Sequence, residues 1–355
     1  MAKRRSAGKS TYCNPTGIVV KTYSEFVDAI DGAGRGDVIY VDGDVEIDMQ
    51  GADDLRIPEG VTLASDRGCN GSDGGLLYTT NHPWSLFRTD GDVTIHGIRI
   101  RGPRTDWVPS AGSGSDKIGA GVMIEGKGVE IANSELSGFS HFAIQTEYDS
   151  HIHHNHIHHN PMKGIGYGVS ANGGHPIIEF NKMNHNRHSV AASGDSSSYT
   201  VRYNIVGPNS ISHIFDQHKP GGVTTKVHHN TVKAVEQDDD PKNTPTLTIR
   251  GVPSDVASVH HNWIYNIDRR VTATTTGRDA PSCRCMSPNG KTWGSATITS
   301  GPRRRRRVTS GRRGRGVRRR NHDFPVGPFG GWHWSIPVHT DPVGPGSDIG
   351  LGFRV

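Results

Sequence analysis

The chain lacks long apolar runs: no stretch of its 355 residues approaches the ~18 apolar residues that a membrane-spanning helix needs. Hydrophobic residues make up only 32% of it and aromatic residues 7%, which argues against a large conventional core. Cysteine is scarce, at four. Cys283 and Cys285 stand too close for an ordinary disulfide and lack the spacing of a CxxC metal or redox motif. Cys13 and Cys69 can pair only if the fold brings them together. No apolar stretch follows the basic start Met1–Arg5 before Tyr12, so no secretory leader is read there. What is abundant is glycine, 46 residues, and histidine, 21. Many Gly and Asn beside β-branched residues predict short strands and tight turns rather than helices.

The net charge of +5 hides a split. Residues 1–270 hold 25 Lys/Arg against 31 Asp/Glu, and residues 271–355 hold 15 against 4. Basicity therefore belongs to the tail alone.

A short phrase recurs along the acidic part. It runs Ile131–Ala132–Asn133, Ile152–His153–His154–Asn155, Ile178–Glu179–Phe180–Asn181, Val201–Arg202–Tyr203–Asn204, Val227–His228–His229–Asn230 and Val259–His260–His261–Asn262. Its asparagines lie 22, 26, 23, 26 and 32 residues apart. A period of that size is one coil of a β-solenoid, in which stacking buries an inner face that one coil cannot bury alone. Asparagine tolerates the left-handed region and bonds local backbone, so each is expected at a sharp turn, with a hydrogen-bonded ladder between coils.

Before the repeats, Ser24 reads as the N-cap of a short amphipathic helix burying Phe26, Ala29 and Ile30. Such a helix suits the open end of a solenoid. Followed by Gly36–Asp37–Val38–Ile39–Tyr40–Val41 and the Asn-anchored coils, it resembles the start of the pectate-lyase-like right-handed parallel β-helix superfamily. The resemblance covers roughly residues 18–268. It implies an all-β right-handed parallel β-helix with an N-terminal capping helix. It implies a place among polysaccharide lyases, glycoside hydrolases, epimerases and tailspikes without choosing between them. It also implies an extracellular protein. The expected organisation is an N-terminal extension over 1–17, the β-helix over 18–270, and a basic tail over 271–355.

The tail breaks the period. Arg303–Arg307 and the arginines of 312–320 read as a disordered solvated segment, as a nucleic-acid-binding arm, or as an out-of-frame translation in which Asp codons become Arg codons. Nucleic acid is not the expected partner of the protein as a whole, and a monomer is expected.

Candidate chemistry gathers in the strands after each Asn turn. The run His151–His159 invites a metal reading, but its histidines alternate with inward Ile and read as surface ladders, so no metal site is assigned. Stacking His141–Glu147, His188–Ser193 and His213–His218 in register places His141, His188 and His213 near one edge of one sheet. Lys163, Gly164 and Tyr167 come from the coil between His141 and His188. Asp216 and His218 share a face. His213, His218 and His188 are the candidate proton-transfer residues, with Asp216 as orienting carboxylate. Arg187 and Arg250 suit a uronate carboxylate. Lys163, Tyr167, Glu147 and His141 complete a substrate-binding set. This inventory matches β-elimination on an acidic glycan. Non-catalytic glycan binding and hydrolysis are the alternatives. Hydrolysis needs two carboxylates at a definite separation, and only Glu147 and Asp216 offer themselves. Asp238–Asp240 carries oxygen ligands of the kind Ca2+ takes, although three consecutive carboxylates more often form a solvated turn. No other cofactor is implied. Because the site was read as an exposed sheet surface, substitutions there are expected to leave folding nearly intact.

Overall fold

The computed structural model describes residues 12–103, 119–160, 162, 164–207, 209–210, 212–234 and 247–266. It adds strand segments at Ala273–Thr276, Cys283–Met286, Thr292–Ala296 and Leu351–Arg354. Lys163, Asp238–Asp240 and the arginine-rich stretch 303–320 lie outside the described residues.

Short strands wind into coils whose walls are three parallel sheets. The first sheet runs from Ile18–Val20 through Val38–Val41 to Val256–Asn266, whose later residues join the second sheet. The second begins at Glu46–Asp48, and the third runs from Leu55–Ile57 to Ala273–Thr276. The recurring phrase fixes the register. Ile39, Leu63, Ile95, Ile131, Ile152, Ile178, Val201, Val227 and Val259 stand one above another in the first sheet. All are buried. A second column runs from Ile47 through Leu77, Ile100, Leu136, Ile157 and Met183 to Val206 and Val232. Burying such a side chain contributes about 1.5–3 kcal/mol, so a thin core suffices when every coil supplies a layer.

The capping helix spans Tyr23–Gly32 and buries Phe26, Ala29 and Ile30 as expected. Its N-cap is Thr22 rather than Ser24. The Thr22 hydroxyl accepts from Glu25 N, and the Glu25 carboxylate accepts from Thr22 N, so two end donors are satisfied at once. Phe26 meets the ring of Phe87 at 5.9 Å, closing the first coils. Cys13 and Cys69 form a disulfide, which ties the entering segment to the loop after the first sheet's third strand.

The asparagines form the expected ladder, but by a different local geometry. The left-handed residue is the one before each asparagine: His154, Phe180, Tyr203, His229 and His261. The asparagine itself turns inward and is buried. Asn155 N and Nδ2 both donate to Asn181 Oδ1, at 3.0 and 3.1 Å, and Nδ2 also donates to Ile131 O. The same pattern continues through Asn204 and Asn230 to Asn262. At Asn133 the phase slips by one. Asn133 is itself left-handed, and Ser134 N takes the ladder position against Asn155 Oδ1. A second ladder, Asn160 to Asn186, stands at the next corner.

Candidate functional site

The outward row of the third sheet changes character along the molecule. It begins with Arg56 and Arg88, passes Met123, and continues through Gln145, Ser170 and Ala191 to Asp216 and Thr248. The long charged side chains end where the coils become small and polar. Asp216 sits there on strand Phe215–Gln217, fully buried.

Three side chains converge on Asp216 Oδ2. His218 Nε2 lies 3.0 Å away, His188 Nε2 3.5 Å, and Arg250 Nη2 is in direct contact. His188 Nδ1 stands 2.5 Å from the His213 carbonyl. A carbonyl only accepts, so the Nδ1 of His188 carries the proton. Burial, and next the Arg187 charge, hold the His188 imidazole well below its usual pKa. Its Nε2 is then a bare lone pair facing a carboxylate. Burial pushes Asp216 upward, but hydrogen bonding, above all from His218, holds the carboxyl below its usual range. Several enclosed atoms here make no hydrogen bond: His188 Nε2, Asp216 Oδ1, Arg187 Nη1, Ser189 Oγ and Thr248 Oγ1. Orphaned acceptors beside donors are costly in a structural ladder, and this collection is disposed to take a proton or a ligand hydroxyl.

At the strand's start the rings form a column. His141 lies 6.3 Å from Tyr167, Tyr167 stacks on His188 at 5.5 Å, and His188 stacks on His213 at 5.7 Å. Burial pushes the His141 imidazole below its ordinary pKa. Arg187 stands over the Tyr167 ring at 5.8 Å. Tyr167, one of the residues expected from the coil between His141 and His188, fills that level.

The structure thus brings together His188, His213, Asp216, His218, Arg250, Tyr167, Arg187 and His141. It does not bring in Glu147, which is exposed. Its neighbour Thr146 is three strands below Gln217, which puts Glu147 about 14 Å from the Asp216 level. That exceeds the carboxylate separation of glycosidases, so the pair considered for hydrolysis is not formed. The expectation of an exposed site is also corrected. Asp216 and His188 are fully enclosed, whereas His218 and Arg250 remain a quarter and a third exposed. Strand alternation tells which residues share a face, not what covers that face. Thr248, level with Asp216, was missed because a lone threonine in a strand carries no signal of its own.

A family model for the right-handed β-helix region matches residues 86–239. With the three-sheet coil, this shows a right-handed parallel β-helix, the fold that the resemblance implied. An alginate lyase from Paenibacillus sp. str. FPU-7 is similar in structure, at 16% identity and a TM-score of 0.44, covering 70% of this chain and 95% of that one. No curated protein matches the chain. Among the described residues, no helix is long and apolar enough to cross a membrane.

Proposed function

We propose that the protein is a polysaccharide lyase that cleaves an acidic, uronate-containing glycan by β-elimination. The observation that carries this reading is the convergence of two imidazoles and a guanidinium on one buried carboxylate beside a ring-lined strand edge.

Elimination needs a base for the proton next to the uronate carboxylate, a cation to stabilise the charge that develops, and an acid for the leaving oxygen. In this reading Asp216 accepts from His218 Nε2–H, which leaves His218 Nδ1 as the unprotonated base. Arg250, anchored by Asp216 through one nitrogen and partly exposed, meets the uronate carboxylate. Tyr167 supplies the proton to the leaving group. His188 and His213 shape the wall behind them and act as positioning residues. The Cys13–Cys69 disulfide supports an extracellular or otherwise oxidising location, where such polymers are met.

The test is ultraviolet detection of the conjugated unsaturated uronate product on a panel of uronate polymers. His218→Ala should lower turnover about 10²–10⁴-fold, beyond any change in the folded fraction that follows from losing its hydrogen bond to the buried Asp216. Full activity in that variant sinks the base assignment. Glycan binding with no product from any uronate polymer sinks the lyase reading in favour of a binding protein.

A further inference from the structure

The second sheet carries a separate cluster that the lyase reading does not use. His156 and His158 lie on strand His156–Asn160 either side of Ile157, whose side chain is buried in the core. Both imidazoles therefore project from the same outer face. Glu135 is level with His156 on the coil below. His158 Nε2 is 3.4 Å from Glu135 Oε1, and His156 Nδ1 is 3.8 Å from Glu135 Oε2. The two rings stand 4.0 Å apart.

These separations have a chemical meaning. Ligand atoms bonded at about 2.0–2.1 Å to one tetrahedral ion stand about 3.4 Å from one another. Hydrogen-bonded partners sit closer, at about 2.7–3.2 Å. The enclosed His158 Nε2 makes no hydrogen bond, although a carboxylate lies beside it. Its Nδ1 is engaged with His159 Nδ1 at 2.6 Å, so Nε2 is the ring atom left for a ligand. Arg67 Nη2 holds Glu135 Oε2 at 3.1 Å and so orients the carboxylate with Oε1 toward His158. On the coil above, Lys182 is level with His156 and exposed.

The other histidine groupings differ. His153 Nε2 and His151 Nε2 form 2.8 and 2.9 Å hydrogen bonds to Glu130 and Glu179, and these nitrogens are already partnered. At Asp216 both imidazoles and Arg250 already engage the same oxygen, so an ion facing both imidazoles there would compete with a bound guanidinium. At Glu135, His158 Nε2 faces the carboxylate oxygen that the arginine leaves free, at ligand spacing, and His156 Nδ1 stands 3.8 Å from the other oxygen.

We propose that Glu135, His156 and His158 bind a divalent transition-metal ion of the zinc type, joining two successive coils. Two imidazoles with one carboxylate select such an ion over Ca2+ or Mg2+, which prefer all-oxygen sets. Three protein ligands leave a fourth position to water.

The experiment uses the untagged full chain, stripped with chelator and titrated with Zn2+ by calorimetry and with Co2+ by visible absorption. Near-stoichiometric Zn2+ binding, a tetrahedral-type Co2+ spectrum and a rise in melting temperature with Zn2+ are expected. The double variant His156→Ala/His158→Ala should weaken binding about tenfold or more. If it does not fold, Glu135→Gln, which keeps the shape and removes the charge, should weaken binding by a similar factor. His218→Ala should leave Zn2+ affinity unchanged. No Zn2+ binding by the parent, affinity unaltered in Glu135→Gln, or affinity lost in His218→Ala would each overturn the assignment.

Discussion

The early coils, up to Glu125, and the later coils, from Val129 onward, solve the same stacking problem with different materials. Early on, the outer face of the third sheet is laced by Arg56 to Asp90 and Glu125, and by Arg88 to Asp54 and Glu125. Each charge finds an opposite one that lies one or two coils away, on side chains that keep between a fifth and a half of their surface exposed. Later on, the cross-coil bonds move inside, to the buried amides from Asn155 to Asn262. The outer row between Met123 and Ala191 is then free of charged side chains, and Asp216 appears beyond it, paired with Arg250. The lesson is one of dielectric: an enclosed amide bond whose loss leaves a stranded backbone N–H is worth more than a screened surface pair. A surface that internal bonds have relieved of structural duty has room for chemistry.

This comparison is open to direct attack. The largest effect is expected from Asn181→Ala. It strands the Asn155 backbone N–H and the Ile152 carbonyl and should cost about 2–4 kcal/mol in urea denaturation.

Acid should come next, and it should act unevenly. Burial, then the His260 and His229 charges, push His228 down to about 4. Burial likewise depresses His154, His175 and His185. Between the unfolded value near 6.5 and that folded value, the unfolded chain binds more protons than the native one. Stability therefore falls as pH drops from about 6.5 toward 4. In the early coils, Asp54 is pushed up by burial but held below its usual range by Arg88 and Ser85, so its contribution persists until pH falls below the ordinary carboxylate value. His96 is an early imidazole that shares the depressed behaviour of the later ones. Hydrogen exchange near pH 5 should show the later coils losing protection before the early ones; simultaneous loss would erase the distinction.

The smallest effect belongs to Arg88→Ala, about 0.5–1 kcal/mol at low salt and less at high salt, with uronate cleavage unchanged.

Much of the coil was legible because parallel stacking repeats its own phrase. The column from Ile131 to Val259 and the capping face of Phe26, Ala29 and Ile30 follow from periodicity alone. The Asn ladder was legible as a repeat but not in its geometry, since a turn residue and its neighbour share one signature and only the backbone angles separate them. The Asn160–Asn186 ladder was hidden inside the histidine-rich run. The Cys13–Cys69 bond depends on the path of the entering segment, which no local pattern encodes. At the site, the grouping of His188, His213, Asp216 and His218 came from counting along strands. The enclosure of Asp216 did not, because it depends on Arg250 and His218 closing over it from separate strands.

The amide ladder also bears on how such a molecule can change length over evolutionary time. Every asparagine from Asn155 to Asn230 donates from Nδ2 to the next asparagine's Oδ1 in the same sense, so the series has a direction and tolerates no half-step. Yet the intervals between its members run 26, 23, 26 and 32 residues. The lengths of the coils differ while the ladder contacts do not. Insertions and deletions away from the seam leave it in phase, which gives a lineage freedom to reshape what the coil touches without reopening how it is built.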